Sequence, residues 1–247
     1  NMGMGIAKNL IKGGYATMGY DLRKECLEEI VTHGGEAAES VSQIGKLCDV
    51  VFVMVMNGNQ VKEVVTQLSP GLNGRGTLII TATITPEEVR EAYNIAKGSN
   101  IRMVDSPVSG GLDGAHEGTL TLMTSADDKT FSDCHDILDA ISKDIFHVGK
   151  NIGDGQTVKA SLQSFIGSTF AAIFESLVLG SKAGIDGKIL YDVFSSSGVS
   201  SPLFKNCAKL IMDRKFENTG SHISTMYKDL GITMDMAKKN GVPMFTT

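Results

Sequence analysis

Near the start of the chain, apolar side chains recur at Ile6, Ala7, Leu10 and Ile11, the period of one helix face. The Gly13-Gly14 pair stops that run, and Tyr15 to Tyr20 reads as a short strand closing on Asp21. Cys48 to Asn57 (CDVVFVMVMN) is a continuous apolar run of strand length, the pattern of a strand covered on both faces. The segment that follows, GNQVKEVVTQL, is amphipathic, and its pattern predicts a helix that stops at SPGLNGRG, a stretch dense in Gly and Pro. TLIITATITPEEVREAYNIAKG predicts a strand, a polar turn and a helix with Pro86 in its first turn. Glu87 and Glu88 stand beside that proline, where the helix dipole favours acids. IRMVDSPVSGG is a strand running into a glycine turn, and TLTLMTS and DIFHVG are two further strands with a helix between them. Such alternation implies an α/β domain built on a parallel sheet with helices on both faces.

The pattern changes after Gly149, where long helical periods begin and strand candidates end. The first helix is expected from about Gln156 to Ala183, apolar on more than one face, passing from one domain to the next and buried between neighbours. The boundary is expected near Asn151 to Gly155, giving one domain over residues 1–152 and an all-α domain over residues 153–247.

Composition changes this picture little. The 247 residues suffice for one large domain or two of ordinary size, and 42% hydrophobic with 21% charged residues is a soluble, globular balance. A net charge of -5 gives no support to nucleic-acid binding. No signal peptide and no uncharged apolar run long enough for a bilayer is visible, so no membrane partner and a cytoplasmic location are the expectations. Cys26, Cys48, Cys134 and Cys207 are too scattered for a metal site or a disulfide framework, and His33, His116, His135, His147 and His222 show no ligand spacing. No metal is expected.

Candidate chemistry begins at the amino-terminal glycines. Gly3 can be the last glycine of a G-x-G-x-x-G turn, with Asp21 the acid about 20 residues on that accepts a hydrogen bond from a ribose. It can equally be an ordinary glycine at the head of an amphipathic helix, and these residues alone leave both open.

Other segments decide. The partial glycine turn, DSPVSGG at Asp105 to Gly111, GTLTLM at Gly118 to Met123, Lys159 at the head of the long helix and KDLGI at Lys228 to Ile232 come in an order that resembles the β-hydroxyacid dehydrogenases. That family includes the 3-hydroxyisobutyrate, tartronate semialdehyde and threonate dehydrogenases. The resemblance runs along essentially the whole chain and implies a Rossmann-type domain whose first strand and first two fingerprint glycines, like the last helices of the second domain, lie outside this sequence. It implies hydride transfer between NAD, with NADP as the alternative, and a small hydroxy acid, in a homodimer or homotetramer. Small hydroxylated residues in Tyr191 to Asn206 and the TATITP turn lean toward a four-carbon acid sugar such as threonate. The alternatives are a silent binding module on the same fold and an imine reductase, and the presence of Lys159 counts against both.

Hydride transfer from an alcohol needs a group that removes the hydroxyl proton and donors for the substrate carboxylate. By resemblance Lys159 is the catalytic group, and a lysine set among ASL and FIG would be desolvated, which suits acid-base work. The turn Ser109-Gly110-Gly111 offers a hydroxyl and bare backbone N–H groups to an anion. Gln163, with Leu162 before it, stands where relatives carry asparagines, and its amide is expected on the substrate. The resemblance assigns the cofactor to Met2, Gly3, Asp21, Met54, Val55, Thr83 and Lys228, with Asp229 supporting Lys228. A carboxylate at Asp21 repels the extra phosphate of NADP and so favours NAD, while Arg23 two residues on leaves some room for NADP.

Overall fold

A computed structural model describes residues 2–217, 219–220 and 222–247. The elements are α1 (Met2–Lys12), β1 (Met18–Gly19), α2 (Lys24–Thr32), β2 (Glu36–Ala37), α3 (Val41–Leu47), β3 (Val50–Val53), α4 (Gly58–Leu72), β4 (Thr77–Ile80), α5 (Pro86–Gly98), β5 (Arg102–Asp105), β6 (Val108–Ser109), α6 (Gly111–Glu117), β7 (Leu120–Ser125), α7 (Asp128–Asp139) and β8 (Ser142–Gly149). After these come four helices, α8 (Asp154–Lys182), α9 (Gly187–Ser196), α10 (Pro202–Met212) and α11 (Ile223–Lys239). The chain forms two compact units, Asn1–Ala160 and Ser161–Thr247, and α8 runs through the division.

In the first unit β1 and β2 make a small parallel pair, and a larger sheet has the order β3-β4-β5-β7-β6 with β8 on the other side of β7. The β3-β4-β5 ladder and the β7-β8 pair are parallel, as the alternation predicts. The sheet is nevertheless mixed, because β5 and β6 both meet β7 antiparallel. Pro107 separates those two strands; lacking an N–H it cannot donate to the ladder, and its carbonyl instead accepts from Met123 N at 3.1 Å. Successive side chains of the sheet enter opposite cores. Leu78 and Ile80 pack with Val61, Val65 and Val89 of α4 and α5, while Ile79 packs with Ile6 of α1 and Leu138 of α7. Helices therefore cover both faces.

Three expectations need correcting. The apolar run from Cys48 contributes only Val50–Val53 to a strand, shorter than expected; Val51 and Val53 are buried in one core while half-buried Val50 and Phe52 pack against the other, so both faces are covered as the pattern predicts. Helix α4 does not stop at Ser69 but continues through Pro70 to Leu72. Leu68 and Leu72 are fully buried on either side of the proline, and α4 lies backbone-to-backbone on α3, where a Cβ at Gly71 would sit 2.4 Å from Gly45 C. That burial, about 1.5–3 kcal/mol per leucine, offsets the loss of one helical hydrogen bond near the helix end. The long helix α8 is not buried along its length. Phe165, Val178 and Leu179 are 69%, 59% and 72% exposed, and among its residues beyond Gln163 only Ile173 and Leu177 are buried. The small core of the second unit, Ile173, Leu177, Phe204 and Ala208, takes one stripe of α8 and leaves its other apolar positions outside.

Candidate active site

Of the candidate residues of the first unit, Gly3, Met54, Val55 and Thr83 lie where β3 and β4 end. The loop after β4 is laid across the end of β3, with Thr81 N and Ala82 N donating to Val53 O at 3.1 and 3.3 Å. Thr81 Oγ1 donates to Val53 O at 3.1 Å and approaches Met54 Sδ at 3.4 Å. Met54, Val55 and Thr83 are all half-buried at this edge. Met54 and Val55 lie in the turn after β3 rather than at a strand terminus, and Asn57 closes that turn by capping α4 through Gln60 N at 3.0 Å. A Cβ on Gly3 would meet Met54 Cβ at an ordinary 3.7 Å, so the first turn of α1 stands over this strand end. That turn contains no acidic residue.

Close packing joins α1 to α6. A Cβ at Gly5 would come within 2.6 Å of Ala115 C and O, and buried Asn9 donates through Nδ2 to Ala115 O at 2.8 Å and to Gly5 O at 2.9 Å. Before α6, Gly110 and Gly111 have φ of 131° and 64°, the region that favours glycine, so their backbone is open to a ligand beside half-buried Ser109.

Asp105, at the end of β5, and Gln156, in the first turn of α8, form a polar centre that the sequence reading did not single out. Asp105 is fully buried, and its Oδ2 accepts from Gly153 N at 2.9 Å, Ser125 Oγ at 3.1 Å and Gln156 N at 3.3 Å. Its Oδ1 accepts from Gln156 Nε2 at 2.8 Å. The same amide nitrogen donates to Ala82 O at 3.0 Å, and Gln156 Oε1 accepts from Ile84 N at 3.1 Å. The available signal was an acid closing an apolar strand and an amide in the first turn of the long helix. Three residues past Gln156, Lys159 is buried at 6% exposure.

Burial pushes the Asp105 carboxyl up to about 6, against the hydrogen bonds from Gln156, Gly153 and Ser125, which favour the charged form. Between its ordinary value of 3.8 and about 6 the folded chain keeps a proton that the unfolded chain releases. This group's contribution to stability is therefore full below pH 4, falls through that window and is gone above it. The carboxyl of Asp105, followed by its carbon chemical shift, is expected to titrate near pH 6; a midpoint near 4 would show it solvated.

Asp21 follows β1, half-buried, and meets Arg23 in a two-pronged contact, with Arg23 Nε to Oδ1 and Nη2 to Oδ2 both at 3.0 Å. The Arg23 side chain holds the Asp21 carboxyl below the usual carboxylate range, against a smaller opposing effect of burial. The second unit has its own cluster. Buried Gln163 donates through Nε2 to Asp229 Oδ2 at 2.5 Å, and Lys228 Nζ lies 3.0 Å from Asp229 Oδ1. Asp229 thus links Gln163 and Lys228. Among the described residues no group of three or more His, Cys, Asp or Glu could hold a metal ion.

A helix over the end of a parallel ladder, an acid after β1 and a glycine turn are features that suit a dinucleotide. Residues 1–149 match the NAD-binding domain of 6-phosphogluconate dehydrogenase, and residues 153–247 match the NAD-binding segment of NADP-dependent 3-hydroxyisobutyrate dehydrogenase. The chain is 32% identical to L-threonate dehydrogenase of Cupriavidus necator over 98% of its own length and 82% of that protein's. It is also 32% identical to 2-(hydroxymethyl)glutarate dehydrogenase of Eubacterium barkeri, covering 98% of the chain and 81% of the relative. The crystal structure of 3-hydroxyisobutyrate dehydrogenase from Salmonella typhimurium superposes with a TM-score of 0.91 at 28% identity, covering 99% of this chain and 86% of that one. An imine reductase from Pseudomonas sp. is similar in fold alone, at 17% identity. The chain belongs to the β-hydroxyacid dehydrogenase family and is an NAD(P)-dependent enzyme acting on a hydroxy acid. By length and composition α8 is apolar enough to cross a membrane; it opens the second family-matched segment.

Proposed function

We propose that the enzyme oxidises a small polyhydroxylated acid of the L-threonate type with NAD, and that Lys159 is its acid-base group. The observation that carries this reading is the burial of Lys159 one helical turn beyond Gln156, whose amide is bonded to the Ala82–Ile84 turn at the carboxyl edge of the sheet. The name of the Cupriavidus necator relative supports the substrate class. Bound in that site, NAD would supply the hydride acceptor for the carbinol carbon. Lys159 takes the hydroxyl proton in oxidation and returns it in reduction. Ser109 Oγ and the backbone N–H groups of Gly110 and Gly111 donate to the substrate carboxylate, which no acidic side chain can do. Gln163 is a further substrate contact in this proposal, and Met2, Gly3, Asp21, Met54, Val55, Thr83 and Lys228 hold the cofactor. The change-over of the two family matches between residues 149 and 153 supports a domain boundary at residue 152, ahead of the division of the compact units after Ala160. Exposed Phe165, Phe174, Val178 and Leu179 of α8 support a homodimer or homotetramer, since apolar side chains of this size are normally covered. Four free cysteines suit a reducing compartment such as the cytoplasm.

The test is NAD and NADP reduction with a panel of L-threonate, 3-hydroxyisobutyrate and related acids; no turnover of any of them overturns the reading. The cofactor preference has its own test. A carboxylate at Asp21 suits the ribose diol of NAD, so NAD is expected to bind more tightly than NADP. Asp21→Ala is expected to narrow the ratio by about tenfold, near 1.4 kcal/mol, and Arg23→Ala to widen it, because it frees the carboxylate and removes the cation that would welcome a phosphate. Calorimetric titration of both cofactors reads these ratios, and equal affinities in the parent would remove Asp21 from the cofactor site.

A further inference from the structure

We propose that Asp105 and Gln156 are positioning residues that fix the height of Lys159 over the cofactor edge of the sheet, an inference that rests on the acid-base role proposed for Lys159. A helix begins with backbone N–H groups that lack partners within the helix. At α8 the groups of Gly153 and Gln156 end on the carboxylate of Asp105, which comes from β5 and lies 48 and 51 residues earlier in the chain. A negative charge at this end of the helix also suits its dipole. Gly155 lets the turn come this close: a Cβ there would sit 2.4 Å from Met123 O and 2.9 Å from Asp105 O, and Gly155 N donates to Ser125 Oγ at 3.2 Å. The amide of Gln156 then bonds both Ala82 O and Ile84 N, so the turn that carries Thr83 is pinned to the same point.

Residues three apart on a helix share a face, so Lys159 rides directly on the turn that Gln156 anchors. Asp105 and Gln156 thereby set one distance, from the amine of Lys159 to the Ala82–Ile84 turn. A misplacement of about 1 Å at a reacting group can cost on the order of 10²-fold in rate. Neither residue needs to touch the substrate for its loss to be felt there.

Gln156→Leu removes the amide and keeps the bulk of the side chain. Gly155→Ala pushes the first turn of α8 off the sheet without deleting a polar group. Both variants are assayed with L-threonate or 3-hydroxyisobutyrate, whichever the parent turns over faster, well below their melting temperatures. In each, kcat is expected to fall at least tenfold, with a smaller change in the dissociation constant for NAD. In the chain without cofactor, hydrogen exchange at the Ile84 amide is expected to speed up in Gln156→Leu. A smaller fall in kcat, or a loss carried by NAD affinity, overturns the proposal, and if Gln156→Leu fails to fold, Gly155→Ala decides. Lys159→Met separates the two readings. If that variant works at the parent rate, the acid-base role fails; if it is inactive while Gln156→Leu and Gly155→Ala turn over like the parent, the positioning role alone fails.

Discussion

Turnover of the best hydroxy acid is expected to fall by on the order of 10²–10⁴-fold when Lys159 is replaced by Met, the usual contribution of a well-placed proton-transfer group. The substitution keeps an unbranched side chain at a buried position and deletes only the amine. Helix packing should survive, since Met is a good helix former of similar length. Folding is read by the melting temperature and cofactor binding by NAD titration, and both are expected near the parent values. The loss should therefore lie in kcat and not in NAD affinity. A variant that oxidises its acid at the parent rate would make Lys159 a buried structural lysine and remove it from the acid-base role.

Ser109→Ala is expected to act on the other half of the reaction, binding of the acid. Ser109 pairs with Thr121 of β7 through backbone alone, so losing its hydroxyl leaves the β6 ladder intact. Gly110 and Gly111 keep their positive φ and their N–H groups. What goes is one hydrogen bond to a carboxylate, about 1.5–3 kcal/mol, which corresponds to roughly a 10- to 150-fold rise in the KM for the acid. NAD affinity and kcat at saturation should change little. An unchanged KM would mean that the Ser109 hydroxyl points away from the substrate.

The amino-acid sequence by itself determined the order and type of most elements, because helix and strand periods are local properties. The helix after Thr85 is an example. Thr85 and Glu88 make a reciprocal cap, with Glu88 N on Thr85 Oγ1 at 3.1 Å and Thr85 N on Glu88 Oε2 at 2.8 Å, and Pro86 fills the first helical turn, all within four residues. Family motifs singled out Lys159, Ser109 and the glycine turn for the same reason, as each is a short pattern. Only the tertiary structure decided that α4 runs through Pro70, since the burial of Leu72 and the contact of Gly71 with Gly45 outweigh a local stop signal. It alone decided that α8 is covered along one stripe, because an apolar composition does not say which positions find a neighbour. The Asp105–Gln156 centre was likewise beyond sequence patterns. Its bonds span 20 to 74 residues, and a buried carboxylate finds its donors only when strand ends, turn and helix start have been folded against one another.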